Sequence, residues 1–110
     1  MLNKTLSFEK RVNKTFFKEG KQTLPTEFNL LINSYKLFIL GESILFDVVL
    51  PNREKVQGQI YYGENNTGVY YQYKLSGSDN VEKLNSQISM KHDLRHSINI
   101  PTRIIDISII

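Results

Sequence analysis

The sequence predicts a mainly β domain, in which a mostly antiparallel, barrel-like sheet carries two short helices at its ends. Turn-forming clusters at residues 51–54 and 63–68 each separate runs rich in β-branched and aromatic side chains, which is typical of β-hairpins. Apolar residues recur at helical spacing only in two short segments. The chain has 110 residues, so one domain with a single core is expected over residues 1–110.

The N-terminal part of the chain is predicted to form two short strands with a basic excursion between them. The strands, at residues 7–12 and 22–24, are short and contain β-branched and aromatic side chains. Residues 13–21 contain a single glycine and are predicted to be partly helical or looped. Pro25 suits a first helical turn, and apolar residues follow it at i, i+3 and i+4 spacing. A short amphipathic helix is therefore predicted over residues 25–33.

Two consecutive hairpins are predicted next. Residues 43–50 and 55–62 flank the first turn cluster, and the second cluster leads into residues 69–75. Because successive side chains of a strand point to opposite faces, Tyr71 and Tyr73 are predicted to face the core. The residues expected to present polar groups at an outer groove are Tyr62, Tyr70, Gln72 and Lys74.

The last third of the chain is predicted to contain a helix and a closing strand. Residues 76–79 form a loop in which Asp79 or Asn80 can cap a helix. The tail, residues 101–110, alternates between apolar and polar side chains from Ile105 to Ile109 and predicts a closing strand. Ending on an apolar strand suggests a domain cut from a longer chain; a natural terminus tied into the sheet is the alternative. The apolar residues that predict the helix are Val81, Leu84 and Ile88.

Positive charge is concentrated at one end of the sequence. The first 21 residues carry six basic and two acidic side chains, or +4, whereas the remainder carries eight basic and nine acidic side chains, or −1. Such a block is typical of a surface that meets an anion, whether nucleic acid, a membrane headgroup or an acidic protein. A solvated strand or helix face is the alternative. The basic residues of the block are Lys4, Lys10, Arg11, Lys14, Lys18 and Lys21.

Composition excludes several classes of protein. The chain contains no cysteine, which removes disulfide scaffolds, thiolate metal sites and cysteine nucleophiles. The polar N-terminal segment is unlike the apolar run of a signal peptide, and no segment approaches the length of a membrane span. A cytoplasmic protein without membrane contact is therefore expected.

No motif in the sequence predicts an active site. A metal nuclease would need a carboxylate pair followed by Glu-x-Lys, but after Asp47 the Glu54 and Lys55 side chains are adjacent in sequence. His92 and His96 would share one helix face, as in zinc sites, yet no third ligand is evident. A solvent-exposed histidine pair at the end of a helix is predicted instead. We therefore expect neither a cofactor nor enzymatic activity from this domain.

The order of elements resembles a known family. The pieces that carry the resemblance are the strand Ser7-Phe8-Glu9-Lys10-Arg11-Val12, the basic excursion through Gly20, Thr23-Leu24-Pro25 opening a helix with Phe28, and the tyrosine-rich hairpin. Over roughly residues 6–88 this layout resembles the B3-like DNA-binding domain of plant transcription factors and of EcoRII- and BfiI-type restriction endonucleases. Ser76-Gly77-Ser78 stands where plant members commonly have a tryptophan, which favours the restriction-endonuclease branch.

The resemblance implies an open, seven-stranded pseudobarrel with two arms that grip the DNA major groove. The first arm would be residues 11–22, and the second would be residues 63–74. The DNA-binding residues implied for the first arm are Arg11, Asn13, Lys14, Lys18, Lys21 and Gln22. Those implied for the second arm are Asn65, Asn66, Thr67, Tyr70, Gln72 and Lys74.

The function expected from the resemblance is non-catalytic, sequence-specific binding of double-stranded DNA. The domain would be the recognition or effector domain of a type II restriction endonuclease in a restriction-modification system. A catalytic nuclease domain would then lie in the same or another chain. The alternative is a small protein-interaction module, such as a phage or mobile-element inhibitor, that binds an acidic partner through its basic surface.

Overall fold

A single curled sheet forms the centre of the computed structural model, which describes residues 5–110. Its strands are β1 (Thr5–Arg11), β2 (Lys21–Thr23), β3 (Ser43–Val49), β4 (Lys55–Asn65), β5 (Gly68–Leu75), β6 (Asp93–Asn99) and β7 (Ile104–Ile109). They are ordered β1-β6-β7-β3-β4-β5-β2, and only β3 and β7 pair in parallel. The seven strands curl into an open half-barrel, so the mainly β, barrel-like fold predicted from the sequence is confirmed.

Short helices pack against this sheet. They are α1 (Lys14–Glu19), α2 (Asn29–Ser34), which follows a 3₁₀ turn over Thr26–Phe28, and α3 (Ser78–Asn85). The basic excursion of the sequence is thus largely helical. α3 begins after Gly77, not at a side-chain cap from Asp79 or Asn80; the Asn80 amide instead donates to the Ser76 carbonyl at 2.7 Å. No helix in residues 5–110 is long and apolar enough to cross a membrane.

The inner face of the sheet and the helices enclose one apolar core. Tyr71 and Tyr73 are 1% and 0% exposed, as their alternation predicts. The prediction that Tyr62 faces outward is wrong. Tyr62 lies directly opposite Tyr71 in the register, and the two rings stack with centroids 4.4 Å apart. Opposed residues of paired strands share a face, so Tyr62 points inward. Other large buried side chains are Phe16, Phe46, Leu24, Ile32, Leu50 and Ile60.

The histidine pair lies where a strand was not predicted. The expectation of an exposed pair at a helix end is wrong, because β6 contains His96 and follows directly on His92. Leu94, His96 and Ile98 alternate toward the core, and His96 is 1% exposed. A polar residue at an apolar position breaks the alternation that identifies a strand. The core accommodates His96 because its ring stacks on the Phe8 ring, with the two ring centroids 4.6 Å apart.

The second hairpin is longer than its turn cluster predicts. β4 runs to Asn65 and β5 starts at Gly68, so only Asn66 and Thr67 connect them. Tyr61 and Gln72 pair with the outermost residues of the neighbouring strands β3 and β2, and beyond them the hairpin continues to its loop. The tip of the hairpin therefore projects past the strands on either side.

Gly58 provides a test of how closely the sheet packs. A Cβ at this position would lie 2.6 Å from Val48 Cγ2 and 2.9 Å from the backbone carbonyl oxygen of Lys74. Gly58→Ala is therefore expected to destabilise the fold by about 1–3 kcal/mol, because the backbone oxygen cannot move without breaking the β4–β5 ladder. Urea unfolding measures this, and Gln57→Ala on the same strand should change stability by less than about 0.5 kcal/mol. Equal urea midpoints for Gly58→Ala and Gln57→Ala would contradict this close packing at Gly58.

Candidate nucleic-acid interface

The outward side of β2, β5 and β4 forms a surface that we call the polar face. The register places Lys21 opposite Lys74, and Lys74 opposite Gln59. Directly opposed residues share a face, while the residues between them point into the core. Two residues further along the strands, Thr23 lies opposite Gln72, and Gln72 lies opposite Tyr61. The polar face consists of Lys21, Thr23, Gln59, Tyr61, Tyr70, Gln72 and Lys74.

The two arms named from the sequence meet at one end of the polar face, where Lys21 of the first arm lies opposite Lys74 of the second. At this end, the backbone N–H of Leu75 donates to the Gly20 carbonyl at 3.1 Å, which ties the end of α1 to β5. At the other end is the loop Asn66-Thr67. From Lys74 to Gly68, β5 rises by about 20 Å, and three strands span about 10 Å. The DNA major groove is about 12 Å wide and admits a two-stranded β-ribbon. The hairpin of β4 and β5 is such a ribbon, so its size fits the groove.

Helix α1 is the core of the first arm. The Asn13 side chain caps it, with Oδ1 accepting from the backbone N–H of Phe16 at 2.8 Å, and Gly20 ends it with a φ of 65°. Phe16 is buried and meets the Tyr73 ring edge to face at 6.2 Å. This contact fixes the orientation of α1 and leaves its polar side in solvent. The exposed lysines of α1 are Lys14 and Lys18.

Two other residues implied for the first arm are engaged within the protein. Arg11 Nε lies 2.6 Å from Asp93 Oδ1, and this hydrogen bond raises the pKa of Arg11 and lowers the pKa of Asp93. Gln22 is only 6% exposed, and its Nε2 donates to the Thr23 carbonyl at 2.9 Å. The charge of Arg11 is therefore already paired, and the amide of Gln22 lies inside the domain.

Lys21 and Lys74 are two positive charges at directly opposed positions. Lys21 Nζ is 3.3 Å from a Glu19 carboxylate oxygen, and Lys74 is exposed. Ion pairs at the surface contribute little, whereas like charges directly opposite each other destabilise a strand pair. A bound anion would therefore meet Lys74 directly and would compete with Glu19 for Lys21. Lys18 adds a third positive charge, since it lines the same surface cavity as Lys74. Lys4 lies outside the described residues.

The tip of the hairpin presents Asn66 most freely. Asn65 Oδ1 accepts from both the backbone N–H and the hydroxyl of Thr67, at 2.9 and 2.8 Å, so its carbonyl holds the turn. Asn66 is exposed at the apex. Further down the polar face, the Gln72 amide donates to Thr23 Oγ1 at 3.2 Å. Of the two asparagines, Asn66 has the side chain that the turn does not use.

Two tyrosines cover a glycine on the polar face. The rings of Tyr61 and Tyr70 have centroids 6.1 Å apart and are tilted by 58°. A Cβ at Gly63 would lie 2.5 Å from the Tyr61 ring and 2.6 Å from the Tyr70 ring, so both rings lie against the backbone. The sequence pattern does not assign Tyr61, Gln59 or Thr23 to an interface. The side chains of β4 alternate between the core and the outer side of the sheet. This alternation is the signal that places Tyr61 and Gln59 on the outer side.

The remaining polar groups near the interface offer no evident chemistry. Within residues 5–110 no group of three or more histidine, aspartate and glutamate side chains is placed to hold a metal ion. A cavity of about 390 Å³ between α1, β5 and α3 is lined by Lys18 and Lys74 but also by Glu19 and Glu82. Its charges therefore balance, and it is not built for a small anion.

His96 is a buried titratable group in contact with the first arm. Burial, with a smaller contribution from the charge of Lys10, lowers the pKa of His96 to about 4. The His96 Nδ1 is hydrogen-bonded to the Tyr73 hydroxyl, and Phe16 of α1 meets the His96 ring edge to face at 5.3 Å. At neutral pH this residue is therefore an uncharged part of the core on which α1 rests.

Comparison with known proteins adds no relative. No protein-family model matches the chain, and comparisons with curated proteins and with solved structures also find no match.

Proposed function

We propose that this protein is a non-catalytic domain that binds double-stranded DNA in a sequence-specific manner. The β4–β5 hairpin enters the major groove, and the lysines of α1 and of the polar face lie along the phosphate backbone. The observation that best supports the proposal is the opposed pair Lys21 and Lys74, on a polar face about as wide as the groove. Lys18 of α1 lines the same surface cavity as Lys74 and brings a further positive charge to this end of the polar face.

Different side chains of the two arms would contact the phosphates and the bases. Lysines contact phosphates as point charges, which sets affinity and register but carries no sequence information. Amide side chains pair with adenine edges in the major groove and do carry sequence information. We assign the first role to Lys14, Lys18, Lys21 and Lys74, and the second to Asn66 and Gln72.

The wider context of the proposal comes from the resemblance to B3-like domains. The open half-barrel of seven strands agrees with the pseudobarrel that the resemblance implies. The proposed setting is the recognition or effector domain of a cytoplasmic type II restriction endonuclease, with the catalytic nuclease domain in the same or another chain. In that setting the domain itself would cleave nothing.

Selection from a randomised duplex pool at two salt concentrations tests the proposal. We expect one enriched motif, and an affinity whose logarithm falls linearly with the logarithm of salt concentration. Four phosphate contacts would give a slope of about −3.6. The selected duplex should stay intact when incubated with magnesium. No binding to any duplex at low salt, or binding without an enriched motif, would overturn sequence-specific recognition, and cleavage would overturn the non-catalytic assignment.

Asn66 and Lys14 should respond differently to substitution. Asn66→Ala is expected to relax the preference at one base pair, with a cost of about 1–3 kcal/mol on the preferred base. Lys14→Gln should weaken all sequences alike. Repeating the selection with each variant measures both effects. Asn52→Ala, in the turn between β3 and β4, is the matched control and should change neither. A uniform loss on Asn66→Ala would contradict a base-reading role.

A protein partner is the second candidate function. Residues 30–45 expose several large apolar side chains, including Leu30 at 81%, Ile39 at 63% and Leu45 at 61%. Exposed apolar surface of this kind is typical of protein-protein contacts. If the lysines of the first arm bind an acidic protein, the domain should not prefer duplex DNA to another polyanion. Competition by polyglutamate as strong as competition by duplex DNA would favour this function over the first.

A further inference from the structure

The tyrosine pair on the polar face has a feature that duplex recognition does not require. Tyr61 and Tyr70 both lie on the outer side of the hairpin and are half-buried, because each ring packs against the backbone at Gly63. The side of each ring that faces away from the glycine therefore points outward. The glycine is necessary for this arrangement, since any side chain at position 63 would displace both rings.

The surroundings of the tyrosine pair favour a polyanion over a protein. The polar face holds Lys21, which is paired with the Glu19 carboxylate at 3.3 Å, and Lys74, which is exposed. Along β5, Lys74 lies four residues from Tyr70, which is about 13 Å, and Gln72 lies between them on the same face. A chain that placed an aromatic group on the tyrosines could therefore place its negative charges at the lysines.

We propose that Tyr61 and Tyr70 form a stacking platform for unpaired nucleobases, so that the polar face also binds single-stranded DNA. This inference rests on the proposed function only in that both assign a nucleic acid to the same face. Aromatic side chains combined with a positive surface are the usual means of binding single strands, and stacking tolerates any base because every base has a π-face. In a duplex, neighbouring pairs cover the base faces, so the platform requires an unpaired base.

Oligothymidine binding tests the platform directly. Tyr61→Leu and Tyr70→Leu keep an apolar cover over Gly63 but remove the aromatic face, and each is expected to weaken binding by about 5- to 150-fold. Tyr61→Phe and Tyr70→Phe should bind as the wild type does. Tyr35→Leu, off the polar face, is the matched control. Fluorescence anisotropy of a labelled oligonucleotide measures all five variants.

A second measurement follows the tyrosine rings directly. The chain has no tryptophan, so its emission comes from tyrosine, and a stacked base should quench part of it. Ring proton resonances of Tyr61 and Tyr70 should shift upfield when oligothymidine is added to the wild-type protein, while those of Tyr35 stay in place. Gly63→Ala, which displaces both rings, should reduce the shifts and the affinity together.

The outcomes separate this inference from the proposed function. Absence of oligothymidine binding, unchanged ring resonances, or full binding by both leucine variants would each overturn the platform. Loss of oligothymidine binding in the leucine variants, with duplex selection unchanged, would support the platform beside duplex recognition. Tyrosine-dependent binding of oligothymidine together with no binding of any duplex would overturn the proposed function and leave the platform standing.

Discussion

Replacing Lys21 and Lys74 together by glutamine is expected to weaken binding to every duplex by about sixtyfold near 0.1 M salt. Each phosphate contact contributes about 0.9 to the salt exponent, so each lost contact costs about eightfold at that concentration. The two lysines oppose each other at the end of the polar face nearest α1, where both can meet one backbone. The motif selected from a random pool should stay the same, because point charges read no bases.

Anisotropy titrations over a range of salt concentrations provide the measurement. The double variant should lower the magnitude of the salt exponent by about 1.8 and lose affinity equally for matched and mismatched duplexes. The control is Lys36→Gln with Lys91→Gln, which removes the same charge from positions outside the polar face. Equal losses in the two double variants would show that affinity follows total charge, and would contradict a located interface.

The same substitution has a consequence for folding. Opposed like charges work against pairing of β2 with β5, and β2 is only three residues long. The free energy of unfolding of the double variant should therefore equal or slightly exceed that of the wild type. A gain in stability that accompanies a loss of affinity is typical of a surface selected for binding, and it rules out unfolding as the cause of weaker binding.

Local sequence signals predict the hairpins but not the face that they build. The turn clusters locate both hairpins, and alternation places Tyr71 and Tyr73 inside. Tyr61 and Tyr62 are adjacent and chemically equal, so alternation alone cannot decide which of them faces the core. The decision comes from the pairing of Tyr62 with Tyr71, which is a property of two strands together.

The interface lysines illustrate a second limit of the sequence. Each lysine can be recognised as basic, but their opposition requires β2 to pair with β5, and three residues give too little pattern to predict a strand's neighbour. Gln22 shows the converse case. It is polar and stands in a basic segment, yet it points inward because it alternates with Lys21, and its amide is satisfied by the Thr23 carbonyl. Side-chain chemistry predicts candidates for the site, and pairing selects among them.

Acidification is expected to destabilise the fold through His96 by about 3 kcal/mol in total. His96 is 1% exposed, and its burial lowers its pKa from 6.5 to about 4. In the unfolded chain the imidazole takes up a proton as the pH falls through 6.5, whereas in the folded protein it stays neutral until about 4. Between these values the unfolded state binds more protons. Stability is therefore fully present above pH 6.5, falls through this window, and reaches its lower level near pH 4.

Urea unfolding at a series of pH values measures this slope and assigns it. His96→Phe combined with Tyr73→Phe removes the imidazole and the hydroxyl bonded to it, so that neither partner is left buried alone, and should flatten the slope between pH 6.5 and 4.5. An undiminished slope in the double variant would contradict the assignment.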